Sequence, residues 1–476
     1  MPAALEKNLN YMKWVVLSLV ITFPALAIVV HSAANACLFL LLACALVAAG
    51  FGMKPLDISL STFLRRYWPL HLAMAAWLIS VLLNQASLGS FTVKHYDRAL
   101  RIAVFAPVMW ILLLLPFRYL KSLQWTAMAG LTGATVKAYI ATSGGADRPT
   151  NIGFLSTIAY SDIALLLGIL VFLSLGWEER RRPSMVMLKS AALVAGIYTT
   201  ALTATRGSWL AILAAIALIF LNSDSVSLRR KLVIAFSGLL LVGAIFSTSN
   251  GPHRLNEAVA EVSNYQKGTD MDTSVGMRLQ MWHGAWLLFQ ERPLFGIGKD
   301  NYGLGMERLA KAGIVSEAAA HYAHSHNELL FNLTIGGVVG CLATLAIYLA
   351  PAFYFFRDRR HPDRQIRTSA LMGIMVCVCY FLFGLTDLMF FWTGIGSFYT
   401  LCTALLLASI VRRKHENASE APQGRGQALP HADHAASSQA PLTQRICQEP
   451  LPGWTAVEPS PAQRGWHRPI RCALPS

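Results

Sequence analysis

The sequence predicts an all-α integral membrane protein with about twelve transmembrane helices. Of its 476 residues, 55% are hydrophobic and only 14% are charged, and the mean hydropathy is +0.47. A soluble domain usually carries about a quarter charged residues, so this composition argues against a soluble enzyme. Since a spanning helix needs about 20 apolar residues, the hydrophobic residues suffice for roughly a dozen spans.

The spans follow from apolar runs that end at charged residues or at Pro and Gly breaks. They are predicted, in chain order, at about 14–30, 36–51, 68–83, 99–115, 122–141, 154–175, 186–202, 207–221, 232–248, 327–350, 369–387 and 391–411. We expect the first helix to be retained, because its apolar stretch is long for a signal-peptide core.

Basic residues alternate along the chain in a way that sets the orientation. The short segments on one side hold Lys7 and Lys13; Lys54, Arg65 and Arg66; Arg118 and Lys121; Arg180, Arg181, Arg182 and Lys189; Arg229, Arg230 and Lys231; Arg357, Arg359, Arg360, Arg364 and Arg367; and Arg412, Arg413 and Lys414. Those on the other side hold only Lys94, Arg98, Arg148 and Arg206. By the positive-inside rule, both termini are predicted in the cytoplasm, and the net charge of +15 reflects cytoplasmic loops and no nucleic-acid partner.

Four regions are predicted along the chain. Residues 1–248 hold spans one to nine, 249–326 form one large outer loop that contains helices, 327–414 hold spans ten to twelve, and 415–476 form a disordered cytoplasmic tail rich in Ala, Pro, Gln and Ser. The outer loop has no cysteine, so no disulfide framework is expected there.

Charged residues on the predicted outer half are mostly cations. They are Arg98, Arg101, Lys137, Arg148 and Arg206, accompanied by Asp162 and Asp387. Guanidinium groups make paired bonds to phosphate oxygens, so this distribution favours a phosphate-bearing lipid. Snorkelling at a helix end is the alternative, and it stays open for Arg98, Arg101 and Arg148. For Lys137 and Arg206 the functional interpretation is favoured.

Two arginines lie in distinctive local patterns. Arg206 occupies the tight turn Thr205-Arg206-Gly207 between two spans, where the next helix offers free amide donors to an anion. Arg278 lies on a loop helix whose apolar residues Met277, Met281 and Ala285 recur at helical spacing. A solvated arginine on an interfacial helix is the alternative for Arg278.

A histidine cluster, His321, His324 and His326, immediately precedes the tenth span. His324 and His326 could bind a metal together with a carboxylate, but no further ligand spacing supports such a site. A single histidine that acts as a general base fits better, since imidazole titrates near neutrality. A structural role remains open for His321 and His324.

Together these patterns resemble the O-antigen ligase and O-antigen polymerase superfamily of bacterial envelope glycosyltransferases. The resemblance depends on the Thr-Arg-Gly step at Arg206, on the Gly-x-Arg-x-x-x-Trp helix followed by Pro-Leu-x-Gly-x-Gly at 276–298, and on the twelve-span layout with one large loop. The most specific element is His326-Asn327 followed at fixed spacing by Gly337 and Gly340.

The resemblance implies a class C glycosyltransferase-like fold in the bacterial inner membrane, with the outer loop and the active site facing the periplasm. It implies transfer of a glycan from undecaprenyl diphosphate-linked O-antigen to the lipid A core oligosaccharide among membrane lipids, with inversion and without a cofactor or metal. An O-antigen polymerase of the same superfamily is the alternative. A polytopic lipid or solute transporter is a further one, which predicts ionisable pairs at mid-membrane.

The resemblance and the residues together give the predicted roles. His326 takes the proton of the acceptor hydroxyl, and Arg206 and Arg278 hold the diphosphate as it leaves. The predicted substrate-binding residues are His324, Asn327, Lys137, Arg98, Arg148 and Trp282.

Overall fold

The computed structural model describes residues 3–180, 182–205, 207–222, 229, 236 and 260–420. The described chain is almost entirely helical, which confirms the predicted all-α membrane fold. Within it, eight helices are long and apolar enough to cross a membrane. They are α1 (Ala3–Leu26), α2 (Ala33–Gly50), α4 (Trp68–Leu88), α9 (Thr157–Leu173), α10 (Pro183–Leu202), α15 (Glu328–Arg357), α16 (Arg364–Gly384) and α17 (Thr393–Glu420).

Shorter elements connect and flank these spans. They are α3 (Leu60–Arg66), α5 (Tyr96–Ala103), α6 (Phe105–Leu112), α7 (Phe117–Leu120), α8 (Leu123–Ala141), α11 (Trp209–Asn222), α12 (Ser274–Glu291), α13 (Lys299–Lys311), α14 (Glu317–Ala320) and the strands β1 (Asn151–Ile152) and β2 (Leu155–Ser156). The two strands pair antiparallel. Helices α12 to α14 belong to the predicted outer loop, which therefore contains helices as expected.

The four other predicted spans differ from these eight. The span at 122–141 is the 19-residue helix α8, and that at 207–221 is the 14-residue helix α11. The prediction of one helix at 99–115 is wrong, because the segment forms α5 and α6 with an interruption at Val104. Pro107 lacks the N–H that a continuous helix would bond to the carbonyl of Ala103, which explains the break. The predicted span at 232–248 lies outside the described residues.

Three helices form the centre of the bundle. In α9, α16 and α17, 78%, 72% and 89% of the spanning residues are buried in the protein, whereas the corresponding share in α1, α2, α4 and α10 is below 40%. A helix that is apolar on every side is stable only when it is surrounded by other apolar groups. The outer helices accordingly present large apolar side chains to the surroundings, such as Leu40, Leu72 and Val194.

A kink in α15 joins the loop helices to the bundle. Gly337 has φ 66° and ψ −162°, so α15 is interrupted there. The interruption frees backbone groups that bond to the segment 293–298: the N–H of Val338 donates to the carbonyl of Pro293 (2.8 Å), and that of Gly298 donates to the carbonyl of Ile335 (3.0 Å). The amide of Asn84 at the end of α4 donates to the carbonyl of Phe295 (2.7 Å). The end of the bundle that carries the segments 293–327 and 385–392 is called the loop end below.

Replacement of Gly337 by alanine is expected to destabilise this junction by about 1–3 kcal/mol. A Cβ atom at position 337 would lie 2.3 Å from the carbonyl oxygen of Leu294, and the positive φ is unfavourable for alanine. Gly336→Ala is the matched control, since a Cβ atom there meets nothing within 4 Å. Thermal unfolding of the purified protein measures the difference, and equal unfolding temperatures for the two variants would contradict the assignment.

Candidate functional site

His326 and Asp387 form a pair at the loop end. His326 lies in the segment before α15, and Asp387 lies in the connection between α16 and α17. The Nδ1 atom of His326 is 3.2 Å from Oδ1 of Asp387. The Asp387 side chain is only 5% exposed, whereas that of His326 is 21% exposed. The carboxylate can therefore orient the imidazole while the ring remains accessible from outside.

The backbone around His326 is fixed by hydrogen bonds on both sides of this residue. His326 itself has φ 50°, a left-handed conformation that a residue with a side chain rarely adopts. The indole N–H of Trp282 in α12 donates to the carbonyl of Ser325 (2.9 Å). Asn327 caps α15 by accepting the N–H of Leu330 (3.0 Å). A strained residue persists only where its surroundings fix it, which is typical of functional sites.

His324 packs against His326 from within the same segment. The two ring centroids are 4.3 Å apart, and the N–H of His326 donates to Nδ1 of His324 (3.4 Å). The pKa of His324 is lowered to about 4, mainly by burial and also by the neighbouring His326, while Asp387 acts in the opposite direction. His324 is therefore neutral at physiological pH and contributes a hydrogen-bonding ring without a charge.

Acidification is expected to destabilise the protein through His324. Its pKa of about 4 in the folded protein lies below the ordinary value of 6.5, so between these values the unfolded chain binds a proton that the folded chain does not. The free energy of unfolding attributable to His324 therefore falls as the pH drops from 6.5 towards 4. The unfolding temperature should fall less between pH 7.5 and pH 5 in a His324→Gln variant than in the wild type. An equal fall in both would refute the burial of His324.

Gly207, the residue after Arg206, lies next to this pair, whereas Arg206 itself is outside the described residues. A Cβ atom at Gly207 would lie 2.6 Å from the hydroxyl oxygen of Thr386, the residue before Asp387. The hydroxyl of Ser208 donates to buried Asp162 in α9. Gly207 is thus placed beside the segment that carries Asp387.

Arg278 lies one helical turn before Trp282 on α12. Residues four apart share a face of a helix, so Arg278 is on the face that holds the His326 segment. Arg278 is half-buried. It forms no ion pair or hydrogen bond with any residue that the structure describes. Its guanidinium group is therefore available to an anionic ligand.

The other predicted binding residues are distributed unevenly. The Arg98 guanidinium lies 4.1 Å from the ring centroid of Phe391, and the His324 ring lies 5.0 Å from the same ring. Lys137 and Arg148 are not brought to this cluster: Lys137 donates to the carbonyl of Val29 (3.0 Å), and Arg148 is exposed in the segment before β1. Arg101 is buried and pairs with Asp97 and Asn35, as expected of a structural arginine.

The structure also supplies the carboxylate that a metal site with His324 and His326 would need. One ligand atom from each of His324, His326 and Asp387 lies within 4.8 Å of the others. However, Nδ1 of His326 faces Asp387, and Nδ1 of His324 accepts a backbone N–H. Metal binding through either of these nitrogens would replace an existing contact. The geometry therefore favours a hydrogen-bonded His-Asp pair.

Residues 191–345 match a family model described as O-antigen ligase. Over this third of the chain, the protein is similar to the O-antigen ligase family. The matched segment includes Arg206, Arg278 and His326 as well as Gly337 and Gly340. The resemblance that these residues predicted is thereby confirmed.

Two relatives are similar to this chain. An uncharacterized protein of Haemophilus influenzae is 23% identical over 315 residues, which cover 64% of this chain and 76% of the relative. An O-antigen ligase of Escherichia coli is 26% identical over 230 residues, which cover 47% of this chain. The chain spans about half (52%) of the length of the Escherichia coli relative.

Proposed function

We propose that this protein is an O-antigen ligase of the bacterial inner membrane. Both termini lie in the cytoplasm, and the loop end faces the periplasm. The protein transfers a glycan from undecaprenyl diphosphate-linked O-antigen to a hydroxyl of the lipid A core oligosaccharide, with inversion and without a metal. The observation that carries this proposal is the His326–Asp387 pair, which lies at the loop end between a half-buried arginine and the entry of a spanning helix.

His326 is the general base of the proposed reaction. Asp387 accepts a hydrogen bond from the Nδ1–H of His326, which leaves the Nε2 lone pair free. Nε2 takes the proton of the acceptor hydroxyl while the acceptor oxygen forms a bond to the anomeric carbon of the donor sugar. The bond from that carbon to the diphosphate oxygen breaks at the same time. Undecaprenyl diphosphate leaves with the bonding electrons, and attack from the opposite side inverts the configuration.

Arg206 and Arg278 stabilise the departing diphosphate. A guanidinium group makes paired hydrogen bonds to phosphate oxygens, and a donor that is already in place costs no reorganisation when the charge develops. The support for Arg278 is its half-buried position one turn from Trp282, where it has no ion pair or hydrogen bond with the residues that the structure describes. The support for Arg206 is the contact of the neighbouring Gly207 with Thr386.

Chelation is expected to leave the transfer rate unchanged within about twofold, because guanidinium groups neutralise the diphosphate in place of a divalent cation. The assay uses purified protein, lipid-linked donor and rough lipopolysaccharide in excess EDTA. Activity that disappears with EDTA and returns with Mg²⁺, Mn²⁺ or Zn²⁺ would instead make His324, His326 and Asp387 a metal site.

A deletion strain tests the proposed reaction in the cell. If the protein is a ligase, the lipopolysaccharide of this strain loses its polymeric O-antigen while lipid-linked chains of normal length accumulate. A strain that retains a single O-antigen unit on lipid A would indicate a polymerase, and one that lacks lipid-linked glycan in the periplasm would indicate a transporter. Complementation with the wild-type chain, but not with His326→Ala, completes the test.

A further inference from the structure

A basic pocket adjoins the His326–Asp387 pair at the loop end. Its polar residues include Lys94, Arg98 and Lys299, and its apolar wall includes Trp77, Phe331 and Phe390. The space between its walls, counted together with the solvent at its open side, is about 680 Å³. None of these three cations has a role in the transfer step proposed above.

Cations outnumber acids among the residues that line this basic pocket, which include Lys94, Arg98 and Lys299 but only one acid, Glu328. Asp300 pairs with His95 (2.7 Å), and Asp97 pairs with Arg101. Glu328, the buried acid that attracts Arg98, already accepts the N–H of Phe390 (3.0 Å) and a hydrogen bond from Asn332 (3.1 Å). Two acids are therefore paired with other basic groups, and the third is held by neutral donors.

The charged form of Lys299 is destabilised in this pocket. Burial lowers its pKa to about 8, and repulsion from Arg98 and Lys94 acts in the same direction. Burial lowers the pKa of Arg98 as well. Cations that are held together in a half-buried cleft destabilise one another, and an anion that enters the cleft removes this repulsion.

One aromatic ring separates the basic pocket from the histidine cluster. The centroid of Phe391 is 4.1 Å from the Arg98 guanidinium and 5.6 Å from Nζ of Lys299. The same ring is 5.0 Å from the ring of His324. Gly207, in contrast, approaches the site through Thr386 on the chain segment before Asp387. Arg278 is not among the residues that line the basic pocket, so the cations of the pocket are additional to the proposed diphosphate contacts.

We propose that the basic pocket binds a phosphate group of the acceptor glycolipid and thereby positions its sugar beside His326. The assignment to the acceptor rests on the proposed function, in which the donor diphosphate is held by Arg206 and Arg278. The binding of a phosphate group does not rest on the proposed function, because it follows from the cations that line the pocket.

Direct binding to the purified full-length chain tests the pocket without any catalytic step. The probes are rough lipopolysaccharide, the same material after chemical removal of its phosphates, and undecaprenyl diphosphate. The variants are Arg98→Gln and Lys299→Gln, and the matched control is Lys311→Gln at the exposed far end of α13. Thermal unfolding of each variant, together with Arg98→Lys, verifies that the fold is retained.

Each variant is expected to weaken binding of phosphorylated rough lipopolysaccharide by about tenfold, as for the loss of one charge-assisted hydrogen bond. Binding of the dephosphorylated material should be equal in wild type and variants, and Lys311→Gln should bind as the wild type does. A loss confined to undecaprenyl diphosphate would support the phosphate pocket but overturn its assignment to the acceptor. Unchanged binding of both phosphorylated lipids in folded variants would overturn the proposal.

Two outcomes separate the role of the phosphate pocket from the transfer activity. If the wild type binds phosphorylated lipopolysaccharide through Arg98 and Lys299 but transfers no glycan to it, the proposed function fails and the pocket stands. If transfer proceeds and neither variant raises the KM for the acceptor, the pocket assignment fails and the proposed function stands.

Discussion

His326→Ala is expected to lower the rate of glycan transfer by about 10²- to 10⁴-fold, the usual contribution of a positioned general base. The loss should appear mainly in kcat, because the imidazole acts on the reacting hydroxyl. Asp387→Asn should also lower kcat, since an amide can donate to Nδ1 of His326 and stabilise the wrong tautomer. Initial rates with purified protein, lipid-linked donor and rough lipopolysaccharide measure both effects.

Neighbouring histidines provide the controls for this prediction. His321 is exposed, so His321→Ala should retain nearly the wild-type rate. His324 contacts the ring of His326, so His324→Ala should give an intermediate rate. A His326→Gln enzyme that keeps the wild-type rate would show that hydrogen bonding suffices, and the base would then be assigned to His324.

Arg278→Ala and Arg206→Ala are each expected to lower kcat by about 10²- to 10³-fold, as does the loss of one donor to a developing negative charge. The diphosphate gains charge as the glycosidic bond breaks, so these contacts strengthen in the transition state. The measurement is the transfer rate at saturating donor, with the amount of variant protein in the membrane determined in parallel.

Arg→Lys variants distinguish a paired contact from general attraction. Lysine retains the charge but cannot replace the two parallel bonds of a guanidinium group, so Arg278→Lys and Arg206→Lys should remain strongly impaired. Arg308, an exposed arginine of α13 paired with Glu291, is the matched control, and Arg308→Ala should stay within about twofold of the wild type. Full activity of both lysine variants would show that the two arginines act only through their positive charge, without paired hydrogen bonds to the diphosphate.

Most of the helices could be predicted because each depends on one uninterrupted stretch of sequence. The apolar runs at 36–51 and 154–175 are long enough to read directly, and they correspond to α2 and α9. The prediction of one helix at 99–115 was wrong because it considered only the apolar residues and not the missing backbone N–H of Pro107. The kink of α15 could not be predicted either, since the positive φ of Gly337 serves a contact with Pro293–Gly298 that lies distant in the sequence.

The candidate site shows the same division between local and long-range information. His326 and Asn327 belong to one short motif and could be selected from the sequence. Asp387 was recognised only as an outer charge, because 61 residues separate it from His326. Lys299 lies in a polar helix with other charged residues, and only its position beside Phe391, near Arg98, makes it part of a pocket. Lys137 had a plausible sequence position, yet its ammonium group is bonded to the carbonyl of Val29.

Reconstituted glycan transfer is the most direct test of the proposed ligase reaction and of the role of His326. The purified full-length chain in lipid vesicles is given undecaprenyl diphosphate-linked O-antigen and rough lipopolysaccharide, and the products are separated by gel electrophoresis. We expect the wild type to join O-antigen to lipid A core, and we expect no transfer above background by His326→Ala or Asp387→Asn protein that is folded and inserted. Elongation of the lipid-linked chains without transfer to lipid A core, or undiminished transfer by His326→Ala, would contradict this expectation.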